Sequence, residues 1–133
     1  MSTPCRVKVT SDASSGQGRA EVRPGTHIAC MGTDTVGKQE VEAELVSRAS
    51  VFTDEVAQAV TLGESQHAVA AGLVDAGSIV EIGQVVTGAH PGRTSAEEIT
   101  LFDGTGVGLQ DLAVASAVVD LAVRKGIATE VEF

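Results

Sequence analysis

Short apolar runs, each closed by glycine, proline or an acidic residue, alternate along this chain with segments of helical period. Cys5 to Thr10 alternates polar and apolar and predicts a short strand, and residues 11–20, rich in Ser, Gly and Asp, predict a loop. Pro24-Gly25 marks a turn. Residues 26–31 predict a second strand, whose apolar run Ile28-Ala29-Cys30-Met31 stops at Gly32. From Gln39 to Ala49 the pattern is helical, with Val41, Leu45 and Val46 on one face. Ser50 to Thr53 predicts a short apolar strand. Asp54 stands where it can N-cap the next helix, with Val56, Ala59, Val60 and Leu62 facing inward and Gly63 at its end.

Glu64 to Gly72 predicts another short helix, on which Glu64 and His67 form an i, i+3 surface pair. Gly77 to Gly88 carries Ile79, Val80, Ile82, Val85 and Val86, and its period fits helix and strand equally. His90-Pro91-Gly92-Arg93 is a turn, and Glu98 to Phe102 a strand. A long helix is predicted over 107–125. Leu109, Leu112, Ala113, Val114, Ala117, Val118, Leu121 and Ala122 wrap most of its circumference, so it is expected to be buried or covered by a partner chain. Arg124 and Lys125 suit its C-terminal dipole and Gly126 its cap. Thr129 to Phe133 alternates like a final strand. Val-rich runs broken by Gly and joined to Ala-rich segments predict an α/β fold.

Composition narrows this picture. The 133 residues suffice for one domain with a core of its own. Hydrophobic residues make up 43% but aromatic ones only 2%, so that core must be built from Val, Ala, Leu and Ile. The formal net charge of −9 and the lack of any Lys/Arg cluster argue against nucleic acid and anionic membrane as partners. No apolar run reaches membrane length. Cys5 and Cys30 have no metal or redox spacing and read as reduced thiols of a cytoplasmic protein. His27, His67 and His90 are widely spread, and no local spacing supports a metal site.

Two stretches carry candidate chemistry. Residues 103–108, Asp-Gly-Thr-Gly-Val-Gly, follow a strand and open a helix, where a phosphate-cradling loop belongs. The dinucleotide pattern fails there, because the third expected glycine is Leu109, and a tight strand-to-helix turn fits better. The other stretch is residues 24–40. Asp34 and Lys38 sit four apart around Gly37, with Glu40 close behind, off the end of the apolar run. An acid and a base delivered together at the carboxyl end of a strand suit proton transfer beside an anionic ligand. An exposed turn Asp with a solvated Lys is the competing reading of the local chemistry.

Pro24-Gly25-Thr26-His27-Ile28, Gly32, Asp34, Gly37-Lys38 and Glu40 together resemble the active-site segment of the ornithine cyclodeaminase/μ-crystallin family, PGTHI-x-x-x-G-x-D-x-x-GK-x-E. Residues 91–112 are similar to a second family block, PGR-(T/S)-x-x-x-EIT-x-F-x-S-x-G-x-x-x-QD, and Leu62-Gly63-Glu64 fits between the two. The resemblance runs from about Ala20 to Leu121, with details closest to the ectoine-utilisation cyclodeaminase-like branch. It implies the second half of a Rossmann-type NAD(P)-binding domain plus a long C-terminal helix, over 1–133. The N-terminal substrate domain and the glycine-rich loop of the family have no counterpart in these residues.

By resemblance, the expected activity is NAD(P)-dependent oxidation of an amino acid or reduction of a cyclic imino acid, with NAD or NADP as cofactor. Asp34 would be the acid/base residue. Lys38 would contact the cofactor, the backbone of Ile28, Ala29, Cys30 and Met31 would line the nicotinamide, and Thr105 would meet the substrate. Gly104 takes a cofactor-contact position that is usually Ser in the family, and so removes a hydroxyl. Thr10-Ser11 matches a cofactor turn weakly. The expected partner is a second copy, making a homodimer, or a complementing N-terminal chain. A non-catalytic binding or association module and one half of a split enzyme are the other readings.

Overall fold

A computed structural model describes residues 22–131. The strand expected at 5–10, the loop at 11–20, Cys5 and the Thr10-Ser11 turn lie outside the described residues, as do the last two positions of the strand expected at 129–133. Four strands form one parallel sheet: β1 (His27–Cys30), β2 (Ser50–Thr53), β3 (Val80–Glu81) and β4 (Thr100–Asp103), in the order β1-β4-β2-β3. The last strand thus lies between the first two. Ile28, Leu101 and Val51 share one row across the sheet, and Ala29, Phe102 and Phe52 share the next row on the opposite face. Among the described residues no strand pairs with the outer edge of β1.

The core lies on the Ile28–Leu101–Val51 face. Val41, Val46, Ala68 and Ile79 close over it, with Cys30 at the carboxyl end. Leu101 is fully buried, and truncating it to Ala leaves a cavity costing about 2–5 kcal/mol. The helices over this core are short: α1 (Ala43–Val46), α2 (Val56–Ala59) and α3 (Gln66–Ala70). On the other face the ring of Phe52 meets His90 edge-on at 6.0 Å, while Ala29 is exposed.

Several expectations are corrected here. The helix predicted over 39–49 shrinks to Ala43–Val46, because the backbone N–H groups of Glu40 and Val41 donate to the Glu64 carboxylate. The ambiguous 77–88 stretch is both structures in turn, β3 followed by α4 (Ile82–Val86), after a 3₁₀ turn at Ala76–Ser78. The long helix forms as α5 (Gly108–Lys125) and ends at Gly126, whose φ of 65° makes the left-handed cap. It is not buried within this chain. None of its residues is buried, and Leu109, Leu112, Val114, Val118 and Val119 are exposed. Residues 129–131 are irregular rather than strand.

Candidate functional site

The carboxyl ends of β1, β4 and β2 lie side by side, since Cys30, Asp103 and Thr53 are register partners. Three loops therefore leave the sheet together, which is where open α/β sheets collect ligands. The loop after β1 carries the expected pair. Lys38 Nζ stands 3.5 Å from Asp34 Oδ1, with the side chains 44% and 67% exposed. Lys38 also donates to the carbonyl of Gly32, and the Thr35 hydroxyl donates to Asp34 Oδ1 at 3.2 Å. A pair this open contributes little to stability. Both groups instead remain accessible to a ligand.

Beneath the open loop lies a buried polar layer that the sequence patterns did not reveal. Glu64, expected as a surface partner of His67, is fully buried. It accepts from the Thr33 hydroxyl and from the N–H groups of Glu40 at 2.9 Å and Val41 at 2.5 Å. His67 turns instead to the carbonyl of Lys38, 3.2 Å away. Asp103, also fully buried, accepts from the N–H groups of Glu64 and Ser65, both at 2.9 Å, and from the Ser65 hydroxyl at 2.7 Å. Burial pushes the Asp103 carboxyl above its ordinary pKa, against the pull of these three bonds, and the nearby Glu64 charge adds to the rise. Gln66 reaches into the turn at 35–38. The signal that could have found this layer is the polar run Glu64-Ser65-Gln66 directly after Gly63, where an amphipathic helix would place apolar residues.

The loop after β4 is held by Asp54, which does not cap α2; Glu55 does that, accepting from Ala57 N. The Asp54 carboxylate accepts from Thr105 N at 3.1 Å, Thr105 Oγ1 at 2.8 Å and Gly106 N at 2.9 Å. Partial burial would raise the Asp54 pKa, but the bonds from Thr105 and Gly106 outweigh it and hold the group below its ordinary value. Two consequences follow for the expected site. The N–H groups of residues 105 and 106 face the Asp54 carboxylate and so are not free to cradle a phosphate. The Thr105 hydroxyl, expected at the substrate, is engaged by Asp54 and by Gln58 at 3.0 Å, and the residue is buried.

At Gly104 an added Cβ would stand 2.7 Å from Met31 Sδ and 3.0 Å from Phe102 Cε1. The Met31 thioether therefore covers the spot where the family carries Ser. Along β1, Ile28 and Cys30 face the core, and burial pushes the Cys30 thiol up to about 12, removing it from nucleophilic chemistry. Ala29 and Met31 are exposed. The carbonyls of Thr26 and Cys30 accept from β4-side N–H groups of Thr100 and Gly104, so strand alternation directs that of Ala29 to the open edge. Asp34, Lys38 and Met31 are exposed on the segment that leaves β1, whereas Gly104 is buried under the Met31 side chain. Thr105 is buried as well, and the side chains of Ile28 and Cys30 lie in the core. Among the described residues no group of three or more His, Cys, Asp or Glu is placed to hold a metal ion. No helix among them is long and apolar enough to cross a membrane.

The sequence profile of the ornithine cyclodeaminase/mu-crystallin family matches residues 8–126. The chain belongs to that family. Over 126 residues it is 60% identical to the iminosuccinate reductase of Paracoccus denitrificans, covering 95% of this chain and 39% of the relative. The crystal structure of that reductase with NAD+ superposes with a TM-score of 0.78 over 84% of this chain and 34% of the other, at 63% identity. The alanine dehydrogenase of Archaeoglobus fulgidus is 40% identical over 84% of this chain and 35% of its own length. The Thermococcus litoralis Δ1-pyrroline-2-carboxylate reductase, in complex with NADH and L-proline, superposes with a TM-score of 0.74 at 28% identity, covering 83% of this chain and 35% of the other. The chain thus spans between a third and two fifths of the length of these family members, and its parallel sheet is the corresponding part of a Rossmann-type domain.

Proposed function

We propose that this chain supplies the nicotinamide-facing half of an NAD(P)-dependent oxidoreductase that acts on a carbon–nitrogen bond adjacent to a carboxylate. The observation that carries the reading is the accessible Asp34–Lys38 pair, set at the carboxyl end of β1 on a buried polar scaffold, within the family motif. Iminosuccinate, alanine and pyrroline-2-carboxylate, the compounds in the relatives' names, share that C–N bond. At 60% identity, an imino acid reduced to an amino acid is the favoured substrate pair.

The residues present fit a nicotinamide ring. Ala29 and Met31 offer exposed apolar surface at the end of β1, and the loop that follows carries the accessible Lys38 and Asp34. When bound, the nicotinamide cofactor supplies or accepts the hydride. Asp34, in the reducing direction, gives a proton to the imine nitrogen as carbon gains hydride, and takes it back from the amine in the oxidising direction. Lys38 holds the carboxylate in place and offsets its charge. The buried Glu64 layer keeps the loop from collapsing onto the sheet. The apolar surface of α5 calls for cover that the described residues do not give, and a second copy of the chain is the simplest choice.

The test is a pair of measurements. NADH, followed by fluorescence, is expected to saturate the chain and to bind more weakly to Lys38→Ala. Asp34→Asn in the active protein is expected to lose turnover by about 100-fold or more while keeping NADH affinity. Turnover unchanged by Asp34→Asn would remove that residue from the chemistry.

A further inference from the structure

We infer that Gln66 is the positioning residue of the Asp34–Lys38 turn, a role that rests on the function proposed for those two side chains. Residues 34–39 are all exposed, so packing does not hold them. The backbone of the turn contributes one bond of its own, from Lys38 N to Thr35 O at 3.1 Å. Gly37 at its tip has φ of 83° and open space around its Cα. An exposed, glycine-tipped turn with one internal bond does not define the separation of two charged side chains four residues apart.

The missing constraint comes from one amide. Gln66 is only 8% exposed at the start of α3. Its Oε1 accepts from Gly37 N at 2.7 Å. The two N–H groups of its Nε2 are shared among three carbonyls, Gly63 O at 2.9 Å and Thr35 O and Lys38 O each at 3.2 Å. The side chain thus grips both sides of the turn and its tip, and the bond to Gly63 fixes the amide to the segment anchored on Asp103. Only an amide meets this need. A carboxylate accepts but cannot donate, and would press charge against three carbonyls; an apolar chain does neither. His67 adds a single contact, Nε2 to Lys38 O at 3.2 Å, on the outer side.

Two variants test this. Gln66→Met keeps the volume and removes all four bonds; the protection of the Gly37 amide against hydrogen exchange should drop about tenfold or more, with thermal unfolding still cooperative. In the active protein, kcat of the same variant should fall about 10- to 100-fold. Gln66→Glu separates gripping from packing. At about pH 7.5 it should resemble Gln66→Met, and at about pH 5, once protonated, it regains a donor and should recover Gly37 protection. The wild-type chain, in which Glu64, His67, Asp34 and Lys38 surround the same segment, is the reference at each pH. Wild-type Gly37 protection in Gln66→Met, or a defect in Gln66→Glu that is equal at both pH values, would overturn the inference. If Gln66→Met has wild-type kcat while Asp34→Asn is inactive, the positioning role fails and the proposed function stands. If Gly37 protection is lost in Gln66→Met while Asp34→Asn stays active, the grip on the turn stands and the proposed function fails.

Discussion

The backbone N–H of Glu64 donates to Asp103 Oδ1 at 2.9 Å, although both side chains are carboxylates with no solvent exposure. Their charges are kept apart by division of labour. Asp103 gathers donors from residues 64 and 65, and Glu64 gathers donors from residues 33, 40 and 41. The end of β4 is thereby linked to the loop after β1 through two residues of backbone. Every atom of the link is satisfied, as a buried polar layer requires.

Removing Glu64 breaks that link. Glu64→Ala leaves the Thr33 hydroxyl and the N–H groups of Glu40 and Val41 without an acceptor, at a cost of about 3 kcal/mol or more. Glu64→Gln keeps one acceptor oxygen for the two N–H groups and should cost less than half as much. Denaturant unfolding checks both. A loss below about 0.5 kcal/mol in Glu64→Ala, the range of an ordinary surface change, would contradict the structural assignment.

Gly63 admits no side chain. An added Cβ would stand 2.7 Å from Ala59 Cα and 2.8 Å from both Asp103 Oδ1 and Thr105 Cγ2. Two of these neighbours belong to the β4 end and the third is backbone, so none can yield cheaply. Gly63→Ala should destabilise the fold by about 1–3 kcal/mol, measured as a fall in unfolding midpoint with the cooperativity retained.

Glu98 sets part of the acid response. The Ser50 hydroxyl first, and then Thr94 N, hold its carboxyl down at about 2, below its ordinary 4.5. A depressed folded value means that the contribution is fully present above the ordinary carboxylate range and is lost as pH falls from there to about 2. Asp54 acts in the same direction, and Asp103, raised by burial, acts in the opposite one. Glu98→Gln should therefore melt below wild type at neutral pH and converge with it as the pH approaches about 2. A gap constant from pH 7 to that point would show that Glu98 does not titrate with folding.

Leu112 tests the apolar surface of α5. It is 66% exposed in the chain, so Leu112→Glu should leave the unfolding free energy of the single chain within about 0.5 kcal/mol. Light scattering should report self-association of the wild type and a lower mass for the variant. A wild type that is monomeric at all concentrations would rule out a second copy of the chain as the cover of α5.

The sequence disclosed what is local. The Asp34–Lys38 spacing, the strand at residues 27–30, the α5 helix and its Gly126 cap depend on neighbours a few residues apart, and they are where the patterns put them. What depended on distant partners was not legible. Glu64 looks like half of an i, i+3 surface pair until the β4 end arrives from position 103 and the loop from position 33. Asp54 has the composition of a helix cap, yet besides the adjacent Glu55 N–H the groups it takes belong to residues 51 and 52 positions away. Of the two expectations for α5, burial within the chain is not met among the described residues and cover by a partner stays open: apolar period says that a face seeks cover, and nothing in it says what provides the cover.

The insertion of β4 between β1 and β2 has a bearing on how the molecule comes into being. Among the described residues, His27 must wait for Thr100, 73 residues further on, before its strand has a neighbour, and Thr53 must wait for Asp103, 50 residues further on, before β2 meets β4. A ribosome therefore delivers β1 and β2 well before the strand that joins them. Until residue 103 has emerged, only β2 and β3 of the described strands can pair, and the four-stranded sheet with its strand-end cluster is completed late, when β4 joins β1 to β2.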